Sequence, residues 1–393
     1  MRICLVYDHL FPQTVGGAER WMRDLAVAVA ARGHDVTYLT MRHGAKGETQ
    51  QLPGVRVVGL TSAGRVYGEK RRSIGPPLRF GVAVAQHLAT HGSEYDVVHT
   101  ASFPYFPVLA AAGLRRRGGY ELVVDWHEVW TREYWRRYAG RGAGTAGWLV
   151  QRKCIRVAHT AYCMSQLHAR RLVTEGYRGT PTVLPGLYAG SAGRVADVQV
   201  DPALVVYAGR HVPEKRVDAL VRGFARALTG HPELQLEIYG DGPERTRIDA
   251  LVRELGLASA VRVLGQRTEQ EVAEAMARSA CVATASEREG YGLVVVEAAA
   301  LGTPSVVVAG PENAATELVR EGVNGAVAES SAPDRIAAAL TRVVDAGPTL
   351  RTSTARWFAD NRSQLEIERS LDLVLEGYER QSVGAGLYSR TPF

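Results

Sequence analysis

The chain contains the nonapeptide Glu289-Gly-Tyr-Gly-Leu-Val-Val-Val-Glu297, in which a polar turn with two glycines runs into an apolar segment. The apolar residues 281–285 before it predict a buried strand. The residues after it predict a short helix that ends near Gly302, and residues 305–309 predict a second buried strand. A succession of strand, turn, helix and strand is typical of a parallel α/β sheet.

The predicted helix is apolar on every face except at Glu297, so we expect it to be buried. A buried carboxylate is costly unless it receives hydrogen bonds. The helix begins after Gly290 and Gly292, so its free N–H groups and positive dipole end are available to an anion. A diphosphate at the helix end and a sugar diol on Glu297 would satisfy both groups. A buried arginine or a neighbouring backbone group could also satisfy Glu297.

Two glutamates separated by seven residues around a Gly-x-Gly turn resemble the Glu-x7-Glu signature of retaining GT-B glycosyltransferases, specifically glycosyltransferase family 4. The resemblance implies that Glu289 faces the donor sugar and that Glu297 holds the ribose hydroxyls. It also implies an α/β fold of two Rossmann-like, doubly wound domains that face each other across a cleft. The same resemblance assigns the intervening residues to the donor: Gly290, Tyr291, Gly292 and Leu293.

Composition indicates a soluble protein with two domains. The chain has 393 residues, of which 46% are hydrophobic and 22% charged, and no apolar run reaches the ~18 residues of a membrane span. The N-terminus reads as a strand rather than a signal peptide. The cysteines have no metal or redox spacing, so we expect a reducing, cytoplasmic location: Cys4, Cys154, Cys163 and Cys281.

The net charge of +6 comes mainly from three basic clusters in the N-terminal half. An anionic membrane surface, reached from the cytoplasm, and a phosphorylated acceptor are two candidate partners. Nucleic acid is not expected, because no nucleic-acid-binding motif is present. A solvated basic face without a partner remains an alternative. The clusters are Arg65, Lys70, Arg71, Arg72 and Arg79; Arg115, Arg116 and Arg117; and Arg132, Arg136, Arg137 and Arg141.

The N-terminal half opens with a predicted strand at residues 2–7, a loop at 8–17, a helix at 18–32 and a strand at 35–40. This order is typical of a doubly wound sheet, whose ligands bind at the carboxyl ends of the strands. The loop contains Gly16 and Gly17, and adjacent glycines allow a backbone to approach a phosphate or sugar closely. The family resemblance implies that they face the donor diphosphate and the acceptor. A simple turn is the alternative.

A histidine follows another predicted strand, residues 121–125, in the sequence Asp125-Trp-His127-Glu. Family 4 enzymes have a histidine at this strand end, so the resemblance implies that His127 lies close to the donor sugar. His99, near the end of the predicted strand 95–101, is a secondary candidate. Either histidine could instead belong to the core. Aromatic residues interleaved with arginines predict an acceptor-binding wall or ordinary packing: Trp126, Trp130, Tyr134 and Trp135.

Residues 186–201 are rich in Gly, Ala and Ser and are predicted as a linker between domains 1–185 and 202–362. The second domain repeats the strand–helix order, beginning with a strand at residues 204–208. The resemblance implies that a C-terminal helix, about residues 363–393, crosses back onto the first domain. The tail beyond Gln381 has little pattern.

Arg210 and Lys215 follow the first strand of the second domain. Arginine can bind two phosphate oxygens and lysine supplies a point charge, although such a pair is also common on surfaces. The resemblance makes them the clamp for the donor diphosphate, and places Gly265 and Gln266 where the base is recognised. The segment that begins at Pro311 departs from the family, which commonly has Gly-Gly there.

The family resemblance implies a retaining glycosyltransferase with the catalytic residues His127, Glu289, Arg210 and Lys215, and we expect it to be independent of metal. The expected donor is a nucleotide-diphosphate sugar, most commonly UDP-linked. The expected acceptor is a hydroxyl group, for example of a cell-envelope glycan or a lipid-linked sugar. No metal or other cofactor is expected, since the sequence has no Asp-x-Asp pair. A sugar-nucleotide epimerase and a silent sugar-nucleotide-binding protein are the alternatives.

Overall fold

The computed structural model describes residues 1–14, 16–42, 51–63, 74–190 and 198–388, with side chains described as far as residue 380. The chain divides into two compact units. Unit 1 comprises Met1–Pro185 and Glu368–Phe393, and unit 2 comprises Gly186–Ile367.

Unit 1 contains a seven-stranded parallel sheet in the order β3-β2-β1-β4-β5-β6-β7. Strands β4 and β5 are buried almost throughout, as is usual for a parallel sheet covered on both faces. The order of the strands reverses between β1 and β4, which makes this the switch point of the sheet. The strands are β1 Arg2–Val6, β2 Asp35–Arg42, β3 Val55–Ser62, β4 Val97–Ala101, β5 Glu121–Trp126, β6 Thr160–Cys163 and β7 Thr182–Val183.

The helices of unit 1 begin and end at residues suited to these positions. Thr131 and Ser165 accept hydrogen bonds from the first turns of α4 and α6, and Gly33, with a φ of 85°, follows the end of α1. The helices are α1 Gly17–Ala31, α2 Gly75–His91, α3 Tyr105–Gly118, α4 Arg132–Ala139, α5 Arg141–Arg156 and α6 Gln166–Thr174.

Unit 2 contains a six-stranded parallel sheet in the order β10-β9-β8-β11-β13-β15, together with a short parallel pair, β12 and β14. Its strands are β8 Asp201–Ala208, β9 Gln235–Tyr239, β10 Val261–Gly265, β11 Ser279–Ala283, β12 Arg288–Glu289, β13 Ser305–Val308, β14 Glu312–Asn313 and β15 Gly325–Ala328. Its helices are α7 Val217–Ala227, α8 Arg245–Glu254, α9 Glu269–Arg278, α10 Leu293–Ala300 and α11 Pro333–Leu365, the last kinked at Gly347.

The last helix, α12 Ile367–Tyr388, returns the chain to unit 1. It differs from the helix predicted from residue 363, because Glu366 is extended and separates it from α11. The backbone of Tyr188 explains the break: its N–H donates to Leu365 O at 3.1 Å and its carbonyl accepts from Ile367 N at 2.9 Å. The helix also continues past Gln381, where we predicted little order.

The segment predicted as a linker is structured at both ends. Tyr188 is buried and pairs with Glu366 within unit 2, and Asp201 already belongs to β8. Residues 191–197 lie outside the described residues. All four cysteines are buried free thiols. Among the residues that the structure describes, no helix combines the length and hydropathy that crossing a bilayer requires.

Candidate functional site

The strand order of unit 2 reverses between β8 and β11. Loops that follow the strands on either side of such a reversal form the usual ligand crevice of a doubly wound sheet. Residues 209–216 follow β8 and residues 284–292 follow β11. These two loops contain half of the predicted donor-binding residues.

An ion pair joins the two loops. Lys215 Nζ lies 2.5 Å from Glu289 Oε1, and the two side chains are only 20% and 13% exposed. Ser286 Oγ donates to the same carboxylate oxygen at 2.8 Å. The predicted cation and the predicted sugar-facing carboxylate, 74 positions apart in sequence, are therefore direct neighbours.

Glu214 connects the loops a second time. Its carbonyl accepts from Glu287 N at 2.8 Å, and its carboxylate pairs with Arg288 at 2.7 Å. We did not identify Glu214 from the sequence, where it is an ordinary charged residue between Arg210 and Lys215. Its backbone and side-chain contacts hold both loops in a fixed register.

Asn313 stabilises the Glu289 loop from the other side. Its Nδ2 donates to Ser286 O at 3.0 Å and to Val308 O at 2.8 Å, and its Oδ1 accepts from Ala315 N at 3.0 Å. Asn313 lies in the segment that departs from the family pattern. In this chain the amide side chain and the β12–β14 pairing anchor the loop there.

Gly292 is the N-cap of helix α10, and its φ is 104°. A Cβ at this position would lie 2.5 Å from the Ala315 Cβ, so backbone conformation and space both require glycine. Gly290 and Tyr291 lie in the turn before it, and the phenol of Tyr291 is buried. The free N–H groups of the helix start therefore follow directly after the Lys215–Glu289 pair.

The prediction that α10 is buried on every face is wrong. Val295, Val296, Ala298 and Ala299 are buried, whereas the face that contains Glu297 is half-buried, as are Leu293 and Val294. The reason is that α10 packs against β11, β13, α9 and α11, which leave the side with Glu297 partly uncovered. The cost of burying Glu297 is accordingly smaller than the sequence pattern suggested.

Arg210 has an exposed side chain in the same loop as Lys215. Its carbonyl accepts a hydrogen bond from Tyr207 Oη at 3.1 Å, which fixes the backbone at the start of the loop. Neighbouring His211 is fully buried, and burial lowers its pKa. Our sequence reading did not single out His211.

The loops after β8, β9 and β10 also contact one another. Gly240 N donates to Gly265 O at 2.9 Å. A Cβ on Gly240 would lie 2.0 Å from Gly209 O, so this contact requires glycine. Gln266, next to Gly265, is exposed. The residues predicted to recognise the base are thus placed at the same edge of the sheet as Lys215 and Glu289.

In unit 1, Gly16 and Gly17 differ in the space available for a side chain. A Cβ on Gly16 would lie 2.3 Å from Glu19 Oε2, whereas a Cβ on Gly17 would meet nothing within 4 Å. Glu19, which is buried in the first turn of α1, therefore covers Gly16. We did not predict Glu19, although it stands three residues after Gly16, where a glutamate commonly folds back onto the helix start.

His127 follows β5 and is half-buried. Burial lowers its pKa, against the attraction of Asp125, Glu19 and Glu128 for the proton. The imidazole is consequently neutral at pH 7, and its Nε2 has no hydrogen-bond partner among the described residues. A neutral imidazole can donate one hydrogen bond and accept another.

His99, the secondary candidate, belongs to the core. Its Nε2 lies 2.8 Å from Asp125 Oδ1, and its Nδ1 lies 2.5 Å from the Tyr378 hydroxyl. Trp21 Nε1 donates to the other oxygen of Asp125 at 2.7 Å. Burial alone would raise the pKa of Asp125, but the charge and hydrogen bond of His99 outweigh it and lower the pKa.

The predicted aromatic wall consists mainly of packed side chains. Trp130, Tyr134 and Trp135 are each less than 10% exposed. Gln151 accepts hydrogen bonds from Trp130 N at 3.0 Å and from Trp135 Nε1 at 3.2 Å. Trp126 is fully buried. Of the two interpretations left open, the structure favours ordinary packing.

The basic clusters have different surroundings. Arg65, Lys70, Arg71 and Arg72 lie outside the described residues. Arg115 pairs with Glu121. An open hollow on α4 and α5 is lined by Arg132, Glu133, Arg136, Arg137 and Arg141. Over the part of the chain that the structure describes, no group of three or more His, Cys, Asp or Glu could hold a metal ion.

Two family models match the chain. The model described as Glycosyltransferase Family 4 matches residues 15–186, and the one described as Glycosyl transferases group 1 matches residues 194–359. A D-inositol 3-phosphate glycosyltransferase of Nocardioides sp. is 30% identical over 364 residues, which cover 84% of this chain and 78% of that protein.

Other similarities are more limited. An exopolysaccharide phosphotransferase of Streptomyces coelicolor is 35% identical over 152 residues; the match covers 38% of this chain and spans 16% of the length of that relative. The crystal structure of Anabaena HepE in complex with UDP has a TM-score of 0.72 and 20% identity, and covers 97% of this chain and 100% of that one. At this identity the likeness concerns the fold.

Proposed function

This chain belongs to glycosyltransferase family 4, and from this premise we propose that it is a hexosyltransferase that moves a sugar from a nucleotide-diphosphate sugar to a hydroxyl acceptor with retention of configuration. The observation that supports the proposal most directly is the 2.5 Å ion pair between Lys215 and Glu289, immediately before the N-terminus of α10. A cation, free backbone N–H groups and a carboxylate at one point suit a diphosphate attached to a sugar.

In the proposed reaction the bond between the anomeric carbon and the diphosphate oxygen breaks, and the acceptor oxygen bonds to the same face of that carbon. The acceptor proton passes to the leaving phosphate. Lys215, Arg210 and the N-terminus of α10 stabilise the negative charge that develops on the diphosphate. Glu289 interacts with the hydroxyls of the sugar. The alternative is that Glu289 itself attacks the anomeric carbon.

Glu297 and the loop at Gly265 and Gln266 are the proposed contacts of the nucleoside. Glu297 lies on the half-buried face of α10, where a carboxylate can accept two hydrogen bonds from a ribose diol. UDP is our choice of nucleotide, in keeping with the UDP bound to Anabaena HepE.

For unit 1 we assign acceptor binding to the edge of the sheet that contains Gly16 and Gly17, and at the same edge we keep His127 as the expected contact of the donor sugar. The neutral imidazole of His127 can hydrogen-bond a sugar hydroxyl without adding charge. The acceptor is a hydroxyl compound such as a cell-envelope glycan. No metal takes part in the proposed mechanism, because Lys215 and Arg210 provide the positive charge that a divalent cation would otherwise supply.

A thermal-shift series with UDP, GDP, ADP and dTDP tests the donor assignment. A ligand that binds only the native state stabilises that state by about 2.7 kcal/mol when its free concentration is 100 times Kd. The melting temperature rises accordingly. We expect one diphosphate, UDP, to give the largest shift, and the shift to persist in EDTA. If none of the four raises the melting temperature, the proposal is wrong.

The sugar donor of the best nucleotide is then incubated with and without hydroxyl acceptors, and the products are followed by NMR. Transfer with an α-configured product from an α-configured donor supports the proposal. Conversion of the donor without acceptor indicates an epimerase. Binding without any turnover, including slow donor hydrolysis, indicates a silent binding protein.

A further inference from the structure

Helix α2 has an apolar stripe on its outer face. Ile74 at its N-cap, Leu78 and Val82 are spaced four residues apart and therefore lie along one side of the helix. Their exposures are 69%, 47% and 52%. We call these three residues the α2 stripe.

The α2 stripe is not required by the core of unit 1. The opposite side of the helix supplies Phe80, Val84 and Leu88, which are almost completely buried. A surface helix normally has one apolar face and one polar face. Here the first turns of α2 are apolar on both the inner and the outer face. Three large apolar side chains therefore remain in contact with water. Clustered exposure of this kind marks an interaction site more often than scattered residues do.

The charge around the stripe is positive. The sequence of α2 contains no Asp or Glu, and exposed Arg79 lies between Leu78 and Val82. In the sequence directly before Ile74, residues 64–73 include four basic residues and one acidic residue. Basic side chains next to exposed apolar ones complement an anionic lipid surface, where phosphates meet the hydrocarbon.

The position of the stripe is also informative. Helix α2 leads from β3 to β4 of a parallel sheet, so its N-terminus lies at the carboxyl edge of that sheet. Gly16 and His127 lie at the same edge, because they follow β1 and β5. A surface bound by the first turns of α2 would border the edge to which we assign the acceptor.

We propose that the α2 stripe docks unit 1 on an anionic bilayer surface, with Ile74, Leu78 and Val82 inserted at the level of the headgroups and Arg79 on lipid phosphates. This docking goes beyond sugar transfer and does not depend on which nucleotide the enzyme uses. A second copy of the chain is a less suitable occupant. Three side chains fall short of the roughly 800 Å² per partner that a stable dimer interface buries.

Vesicle co-sedimentation of the full chain tests the proposal. The vesicles are phosphatidylcholine alone and phosphatidylcholine mixed with phosphatidylglycerol. We expect binding to the mixed vesicles and little to the neutral ones. V82S should weaken binding, and L78S/V82S should weaken it about tenfold or more, since both changes remove apolar area from the contact. R79E should weaken binding and reduce its dependence on salt.

Val173 provides a matched control. It is 51% exposed on α6 of the same unit, against 52% for Val82, and V173S makes the same chemical change outside the stripe. V173S should bind like the wild type. Circular dichroism and melting temperatures establish that each variant is folded, and R79E tests the surface without changing an apolar residue.

Three results would overturn the proposal. The first is equal binding to neutral and anionic vesicles. The second is unchanged binding by both L78S/V82S and R79E. The third is a wild-type dimer in sedimentation that L78S/V82S converts to a monomer, since this would assign the stripe to a second copy.

Discussion

Glu289 and Lys215 neutralise each other in the structure, at 2.5 Å and with little exposure to solvent. A partly buried carboxylate without its cation would be costly, and so would the ammonium group without the carboxylate. Each residue therefore holds the other in place. In the proposed function, a bound diphosphate would add acceptors for Lys215 at the same point, so the pair would hold the lysine ready before the donor binds.

Lys215→Ala should reduce kcat/KM by about 100-fold or more, because it removes a cation that stabilises the negative charge developing on the leaving group. The measurement is initial-rate kinetics over a range of donor concentrations. Arg247→Ala is the control. Arg247 pairs with Glu244 in the same unit and is 69% exposed. Its replacement should leave turnover unchanged. Near-normal turnover of Lys215→Ala would exclude the lysine from the mechanism.

At the level of elements, a half-buried histidine connects neighbouring strands and helices of unit 1. His159, between α5 and β6, accepts a hydrogen bond from Trp126 Nε1 of β5 at 3.0 Å. Its other ring nitrogen lies 2.7 Å from Val157 O. Only the neutral imidazole can make both bonds, since the charged form has no acceptor nitrogen. Burial lowers the pKa of His159 to about 4.

This lowered pKa predicts a stability that depends on pH. The ordinary pKa of histidine is about 6.5, so between about pH 6.5 and 4 the unfolded chain binds a proton that the folded chain does not. The free energy of unfolding should therefore fall as the pH falls through this range, by roughly 1–3 kcal/mol from this residue.

Denaturant unfolding of the wild type and His159→Phe at pH 7.0 and about pH 4.5 measures the effect. The variant should be less stable at pH 7, because Trp126 Nε1 loses its acceptor. It should also lose less stability on acidification than the wild type. The comparison between pH 7 and about pH 8 is the control, since the imidazole is neutral in both states there. Identical losses for the two proteins on acidification would contradict the assignment.

For the whole molecule, the C-terminal helix is part of unit 1 although unit 2 intervenes in sequence. Tyr378 of α12 is fully buried, and its hydroxyl lies 2.5 Å from His99 Nδ1. His99 in turn contacts Asp125, which accepts from Trp21. This chain of polar contacts connects α12 with β4, β5 and α1 of the first sheet.

Tyr378→Phe should destabilise unit 1 by about 1–3 kcal/mol, because His99 Nδ1 loses its partner inside the core. Hydrogen exchange should accelerate in α12 and β4, and peptides of unit 2 should be unaffected. Tyr239→Phe is the converse control: its hydroxyl donates to buried Glu237 at 2.6 Å in unit 2. Uniform acceleration in both units by Tyr378→Phe would show that α12 is not specific to unit 1.

The predicted fold class, two Rossmann-like doubly wound sheets as in GT-B glycosyltransferases, is confirmed, and so is the enzyme class. Strand positions were accurate because continuous apolar runs predict strands that are buried on both faces of a parallel sheet. The run predicted at residues 204–208, for example, lies within β8 Asp201–Ala208. The break at Glu366 was missed because it depends on pairing with Tyr188, which lies far away in sequence.

Lys215 and Glu289 were selected through the family resemblance, since each follows a predicted strand at a position that matches a family motif. Their contact was not predictable from spacing, because it requires β8 and β11 to be neighbours while β9 and β10 lie on the other side of β8. The roles of Glu214, Asn313 and Tyr378 depend on the same long-range order. Side-chain types and periodicity along the chain describe which groups are available, whereas the order of the strands in the sheet determines which of them meet.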